Sequence, residues 1–376
     1  MRILFALFVA LHGAIHLLGF VKATGMAEVS ALQHPISPRA GWAWLGAALL
    51  LLTAAAFFLW VPRWWWIPGL AGVGVSQLLI LGVWSDARFG TLANVLILLP
   101  LILAVADLRP SSLRSRYEHD VAEALGGMAH GGAVLSQPSA VREEELADLP
   151  PAVRRWLVRV GVVGRPRVLS FHVRFHGRIR SAPDGPWMPG PVEQYSLVEP
   201  LGRLFFMEAS RVGVPAHVYH RYLDGAATME ARLAGVVPLM DVEGDELTRA
   251  ETVTVLNDLL LFAPGAVPVA PLEWEELPDG RVRVSLENAG HRVSAELEFD
   301  DAGDLVGFVS RDRSRSEGGT LSVVPWSTPV LAFGEVNGVR LPVEAEARWL
   351  DPEGAWTYVT LTLEGVAYNV GAGPGR

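Results

Sequence analysis

The chain contains no cysteine. Disulfides, thiol catalysis, thiolate zinc sites, iron–sulfur clusters and a lipidated N-terminal cysteine are therefore excluded. Lysine is nearly absent as well. Of the 31 basic residues only Lys22 is a lysine, so a phosphate-loop or Schiff-base lysine would have to be Lys22, whose context fits neither. Acidic residues are scarce at one end only. Residues 1–110 carry six basic groups against Glu28, Asp86 and Asp107, a net of +3; the rest carry 25 basic and 37 acidic groups, a net of −12, and the two sum to the formal −9. Two chemically different parts are joined end to end. The acidic part argues against a nucleic-acid partner.

Four apolar runs fill the first part: Ile3–Val21, Gly41–Val61, Trp64–Trp84 and Phe89–Ala106. Each is near the ~20 residues that a spanning helix needs. Trp42, Trp44, Trp60, Trp64, Trp65, Trp66 and Trp84 sit at their ends, as an interfacial aromatic belt requires. Residues 1–108 are therefore expected to form a four-helix transmembrane module in the cell inner membrane, with membrane lipid as its surroundings. Arg2, Arg63, Arg109, Arg114 and Arg116 flank one side and Lys22, Arg39 and Arg88 the other, which favours cytoplasmic termini.

The polar residues within these runs are few. His12 and His16 share one helix face. Ser76, Gln77 and Asn94 lie in the same half of the bilayer, near the loop containing Asp86 and Arg88. A candidate pocket is formed by His12, His16, Gln77, Asp86, Arg88 and Asn94, suited to proton transfer, a quinone-like ligand or a metal ion. The alternative is interhelical packing, with each histidine satisfied by a neighbour. Haem between facing histidines is disfavoured, because no other span contains a histidine.

Residues 109–148 read as a polar juxtamembrane helix over Ser112–Leu125 and a linker broken by Gly126-Gly127 and Gly131-Gly132. Residues 149–370 read as a β-rich soluble domain, and 371–376 as a frayed tail. An amphipathic helix spans Leu149–Gly161, with Val153, Trp156, Leu157 and Val160 as its apolar stripe. Thr248-Arg249-Ala250-Glu251 has the form of a capping box opening a second helix, which Pro264 stops. Alternation in Phe171–Arg180 predicts a strand. From Leu272 onward a run of hairpins follows, with Asn337-Gly338 as the strongest turn signal. About ten antiparallel strands and two helices predict an α+β domain with a large curled half-barrel sheet. Such a sheet leaves a concave cavity, for which Trp187, Tyr195, Phe206, Tyr222 and Trp326 are the candidate lining residues.

No hydrolase elbow, zincin motif, EF-hand or dinucleotide fingerprint occurs. No catalytic residue, cofactor, metal set or oligomeric state is specified. His172 and His176, about 13 Å apart on a strand, cannot chelate one ion, and His217 and His220 fall on opposite strand faces. Arg174, Arg178 and Arg180 line one strand face, and Arg311, Arg313 and Arg315 another.

His12-Gly13-Ala14-Ile15-His16-Leu17-Leu18-Gly19-Phe20 and Trp84-Ser85-Asp86-Ala87-Arg88-Phe89-Gly90-Thr91-Leu92-Ala93-Asn94 resemble an uncharacterised bacterial family of four-span proteins. Leu149-Pro150 through Arg165-Pro166, Asp184-Gly185-Pro186-Trp187-Met188-Pro189 and Glu193-Gln194-Tyr195 resemble the soluble domain that this family carries, a domain of unknown function. The hairpins from Trp274 onward, with Asp300–Phe308 and Gly338–Glu344, resemble LolA/LolB-type lipoprotein carriers in architecture. These resemblances imply a family without an established activity. The favoured expectation is a β domain that binds a lipid or another apolar small molecule at the membrane, with binding preferred over catalysis. A redox, proton-transfer or metal/quinone-binding component and a signalling or structural role remain alternatives.

Overall fold

A computed structural model describes residues 2–130, 138–211, 214–233, 235–317 and 320–371. The chain divides into two compact units, Met1–Ser112 and Leu113–Arg376. The glycine pair at 131–132 and the tail at 372–376 fall outside the described residues.

The first unit is helical: α1 (Arg2–Ala23), α2 (Pro38–Trp60), α3 (Trp66–Gly82), the single turn α4 (Trp84–Ala87) and α5 (Gly90–Ala106). Two of these, α1 and α2, with 22 and 23 residues, are long and apolar enough to cross a membrane. The other two long helices have 17 residues each, shorter than the apolar runs Trp64–Trp84 and Phe89–Ala106 that contain them. The third apolar run breaks at Val83, whose backbone leaves helical geometry, and α4 takes up its last residues. Glycine allows close helix approach. A Cβ at Gly19 would lie 2.2 Å from the buried indole of Trp44, and one at Gly41 would lie 2.4 Å from Ala23 Cβ.

The second unit opens with α6 (Leu113–His130) and α7 (Pro151–Val160). The first half of the sheet follows as β1 (Ser170–Ile179), β2 (Met188–Val198), β3 (Leu201–Arg211), β4 (Val214–Leu223), β5 (Ala226–Leu233) and β6 (Val237–Glu243). Helix α8 (Asp245–Phe262) then separates it from β7 (Leu272–Glu276), β8 (Val282–Asn288), β9 (His291–Phe299) and β10 (Leu305–Ser310). The chain ends in β11 (Ser314–Glu317), β12 (Thr320–Val323), β13 (Trp326–Ser327), β14 (Val330–Val336), β15 (Val339–Asp351) and β16 (Gly354–Tyr368). Fourteen of these strands form one antiparallel sheet in the order β6-β5-β4-β3-β2-β1-β16-β15-β13-β10-β9-β8-β7, with β14 on β15. The two halves of the meander are thus closed by β1 pairing with β16. Asn337 and Gly338, both at positive φ, make the tight turn between β14 and β15.

The sheet curls into a half-barrel around α8. Of the 18 residues of α8, 15 are buried, so it is a core helix. It begins at Asp245, a turn before the capping box read from the sequence. Thr248 instead donates to the Gly244 carbonyl (3.0 Å) and accepts from the Ala227 amide (3.1 Å), while Asp245 and Glu246 supply the negative charge that a helix start favours.

The stretch read as a polar helix and tether is also part of this fold. Helix α6 runs through Gly126-Gly127 to His130. Its Leu113 and Tyr117 pack on Leu204, Phe206 and Tyr219, and Tyr219 donates to Asp120 (2.5 Å). Arg114 Nε donates to Glu208 (3.1 Å), and Arg116 pairs with Glu230 (2.5 Å). The sheet is therefore apolar on both faces here.

Gly190 on β2 is a test of the curl. A Cβ there would lie 1.8 Å from the Glu208 carbonyl oxygen and 2.6 Å from its carbon. Backbone atoms cannot yield as a side chain does. Gly190→Ala is expected to cost at least about 1–3 kcal/mol, the range for overpacked sites, seen as a lower denaturation midpoint with unchanged far-UV circular dichroism. An unchanged midpoint would contradict the close strand approach.

Candidate functional site

Between α8 and the curled sheet lies a cavity of about 1240 Å³. Strand alternation builds its wall. On β3, Phe205 and Met207 face inward while Leu204 and Phe206 face α6. Met188, Met207, Met229 and Met240 all line it, four of the seven methionines in the chain. These unbranched thioethers repack readily around differently shaped apolar ligands.

The α8 side of the cavity is polar. Glu251, Thr254, Asn257 and Asp258 line it at helical spacing. Two arginines reach them. Arg203 donates through Nε to Asp258 (2.8 Å) and through a terminal nitrogen to Glu251 (3.0 Å). Arg313 donates to the Ala250 carbonyl (2.8 Å) and to Thr254, and lies 3.5 Å from Glu251. His220 Nδ1 is 3.3 Å from the same carboxylate. Asp258 also accepts from Gln194 (2.9 Å), and Thr328 donates to Asn257 (2.6 Å). Glu251 is 1% exposed. Its burial, the largest single influence, opposes ionisation, but His220, Arg203 and Arg313 together outweigh it and hold the carboxyl below its ordinary range.

A ladder of alternating guanidinium and indole groups runs beside the cavity. Arg178 and Arg180 lie 4.8 and 4.6 Å from the centre of Trp187. Arg180 and Arg315 lie 5.8 and 5.9 Å from Trp356. Arg315 and Arg313 lie 5.4 and 5.9 Å from Trp349, and Arg313 is 4.6 Å from Trp326. Cation–π contacts of this kind hold these side chains in place.

Residues 139–361, lying within the second unit, match the family of unknown function DUF6544. The chain belongs to this family. No curated protein matches it. Among solved structures, a DUF1329 family protein from Desulfovibrio piger is 12% identical, with a TM-score of 0.32 over 58% of this chain and 91% of its own. A LolA superfamily protein from Nitrosomonas europaea is 12% identical, with a TM-score of 0.31 over 53% of this chain and 86% of its own. At such TM-scores the likenesses decide nothing about the cavity.

Within the DUF6544 part, only one of the five aromatics expected at the cavity lines it: Trp326. Phe206 and Tyr195 point to the outer face, where Phe206 stacks on Tyr117 (5.2 Å) and Tyr195 on His172 (4.2 Å). Tyr222 is fully buried, its hydroxyl 2.9 Å from Thr252 and 2.5 Å from Asn288. Trp187 is held between Arg178 and Arg180 and does not line the cavity. Of the two strand arginine sets, Arg313 turns into the core and Arg315 pairs with Asp351 (2.9 Å). His217 and His220 lie on opposite faces, against Phe206 and Phe205 respectively.

In the helical unit, four of the six expected pocket residues meet. His12 Nε2 donates to Asn94 Oδ1 (2.9 Å), and Asn94 donates to Gln77 (3.0 Å). His16 Nδ1 donates to the His12 carbonyl (2.9 Å), and its Nε2 is 2.8 Å from Ser76 Oγ. Both histidines are buried and matched within the bundle, the arrangement of interhelical packing. Asp86 is not part of this network. It accepts from the amides of Gln33 (2.6 Å) and His34 (2.8 Å), from the His34 ring (3.1 Å) and from Ser85 (3.0 Å). These bonds, the His34 amide foremost, hold it well below the usual carboxylate range. Arg88 lies over Phe89 at 5.2 Å. Charged side chains are cheaper in a loop than among apolar helices. Among the described residues no group of three or more metal-ligating side chains converges.

The sequence reading missed Arg203, His220, Glu251, Asp258 and Arg313. Two signals point to them: the polar positions 251, 254, 257 and 258 on one side of an otherwise apolar helix, and Arg203 alternating inward with Phe205 and Met207.

Proposed function

We propose that this protein binds a lipid or another long apolar molecule in the sheet cavity, close to the membrane that its helices enter. The cavity of about 1240 Å³ with its methionine-rich wall carries the reading. Packed interiors hold few voids larger than a water molecule, and small-molecule pockets usually fall at about 300–1,000 Å³. A space of this size, closed at the back by α8, fits an acyl chain. Solvent extraction of the purified full chain, followed by lipid analysis, tests it. A stoichiometric apolar molecule is expected, and an extract without one would contradict the reading.

The membrane part of the reading is a four-span bundle of α1, α2, α3 and α5. Its support is the outward apolar surface on all four, for example Leu7, Leu49, Leu78 and Leu99, each more than half exposed. Asp86 also ties the loop after α3 to the loop after α1, which puts both on one end of the bundle. The basic count that favours cytoplasmic termini includes Arg114 and Arg116, which belong to α6 in the second unit; three against three remain. Since the chain has no cysteine, single cysteines report position directly. Ser37→Cys and Arg88→Cys are expected to react with a membrane-impermeant maleimide from one side, and Arg63→Cys from the other. Arg63→Cys and Arg88→Cys reacting from the same side would contradict four spans.

A further inference from the structure

We propose that the cavity ligand is an acidic amphiphile, with its carboxylic or phosphoric acid group held by His220 beside Arg313 and its apolar body along the methionine wall. This rests on the cavity reading above and adds the ligand's chemical class. Five ionisable side chains meet on the α8 side of the cavity. Arg203 and Arg313 are cancelled in charge by Glu251 and Asp258. His220 is the fifth. It extends from β4 toward Glu251 on α8, with its ring edge-on to Phe205 of β3 at 5.6 Å. Three basic groups, Arg203, Arg313 and His220, share the one carboxylate of Glu251.

Two nitrogens are left over. His220 lines the cavity, and its Nδ1, though 3.3 Å from Glu251, is buried without a hydrogen bond among the described residues. Arg313 Nε is buried and likewise has no acceptor among them, in a residue nine-tenths buried. A buried polar group without a partner is costly, and a core without ligand could use apolar residues here at no loss. The proton count selects the ligand. A neutral imidazole has one N–H and one bare nitrogen, so with the hydrogen turned toward Glu251 the other nitrogen, Nε2, can only accept. An acid brings the missing proton: its O–H bond breaks, the Nε2–H bond forms, and imidazolium faces carboxylate or phosphate with the total charge unchanged. An ester offers only an acceptor to an acceptor.

The test is equilibrium binding to the purified full chain in nanodiscs, using palmitate against methyl palmitate and dipalmitoyl phosphatidic acid against dipalmitoyl glycerol. At least one acid is expected to bind on the order of ten-fold more tightly than its neutral partner, and that pair identifies the acid as carboxylic or phosphoric. His220→Gln is expected to bring the ratio to about one. The wild-type ratios decide the matter even if that variant folds poorly. Equal binding within both pairs would overturn the acidic-ligand inference and leave the cavity reading standing. Binding of none of the four would overturn the cavity reading itself.

Discussion

Replacing Glu251 by alanine is expected to destabilise the second unit by about 3–5 kcal/mol, the usual result of breaking a buried ion pair from one side. The carboxylate is shared by Arg203 at 3.0 Å, His220 at 3.3 Å and Arg313 at 3.5 Å. Without it Arg203 keeps Asp258, but Arg313 keeps as hydrogen-bond acceptors among the described residues only the Ala250 carbonyl and Thr254. A net positive charge then remains inside an apolar sheet. For a unit of this size the loss corresponds to a fall in melting temperature on the order of 10 °C, measurable by near-UV circular dichroism of the full chain. The pH dependence has a fixed sign. The folded pKa of Glu251 lies below its unfolded value of 4.5, so its stabilisation is fully present above about 4.5 and is lost as pH falls through the folded value. Asp304, which accepts from Arg340 (2.8 and 2.9 Å) and Arg159 (2.9 and 3.1 Å), is lowered to about 2 from 3.8 and adds a loss over that range. Glu251→Gln is expected to flatten the acid limb of the stability curve. A Glu251→Ala chain as stable as the wild type would show that the cluster is not assembled as described.

The second large effect concerns the space itself. Ala231 on β5 and Ala347 on β15 both line the cavity. Placing tryptophan at both narrows it from two walls. The double variant Ala231→Trp, Ala347→Trp is expected to retain less extractable apolar ligand while keeping its far-UV circular dichroism, because both side chains line the cavity. Undiminished ligand content in a folded double variant would place the ligand elsewhere.

Much of the architecture was legible because local signals acted alone. Asn337-Gly338 and Pro278-Asp279-Gly280 specify turns whatever surrounds them. Phe171–Arg180 alternates because its outer face meets water at Arg174, His176 and Arg178. Legibility failed where a second layer covered the sheet. With α6 on the outside and α8 on the inside, Leu204-Phe205-Phe206-Met207 is apolar on both faces, so alternation disappears there and the inward and outward aromatics cannot be told apart. Phe206 and Tyr195 were assigned to the cavity for that reason. Glu251 matched a helix-start pattern that local sequence satisfies equally well whether the residue is a cap or a buried ion. In the helical unit, the shared face of His12 and His16 was readable from spacing, and their partners Ser76 and Asn94 lay among the few polar residues available. That Asp86 turns to the first loop was not readable, because its partners are backbone amides of Gln33 and His34, which carry no sequence signature.

The central claim is that the curled sheet holds a ligand. Native mass spectrometry of the purified full chain, released from detergent under gentle activation, tests it most directly. The expected result is a chain carrying one additional mass in the range of a lipid, diminished in the Ala231→Trp, Ala347→Trp variant. A bare chain mass for the wild type, under conditions that preserve lipid on a control membrane protein, would contradict it.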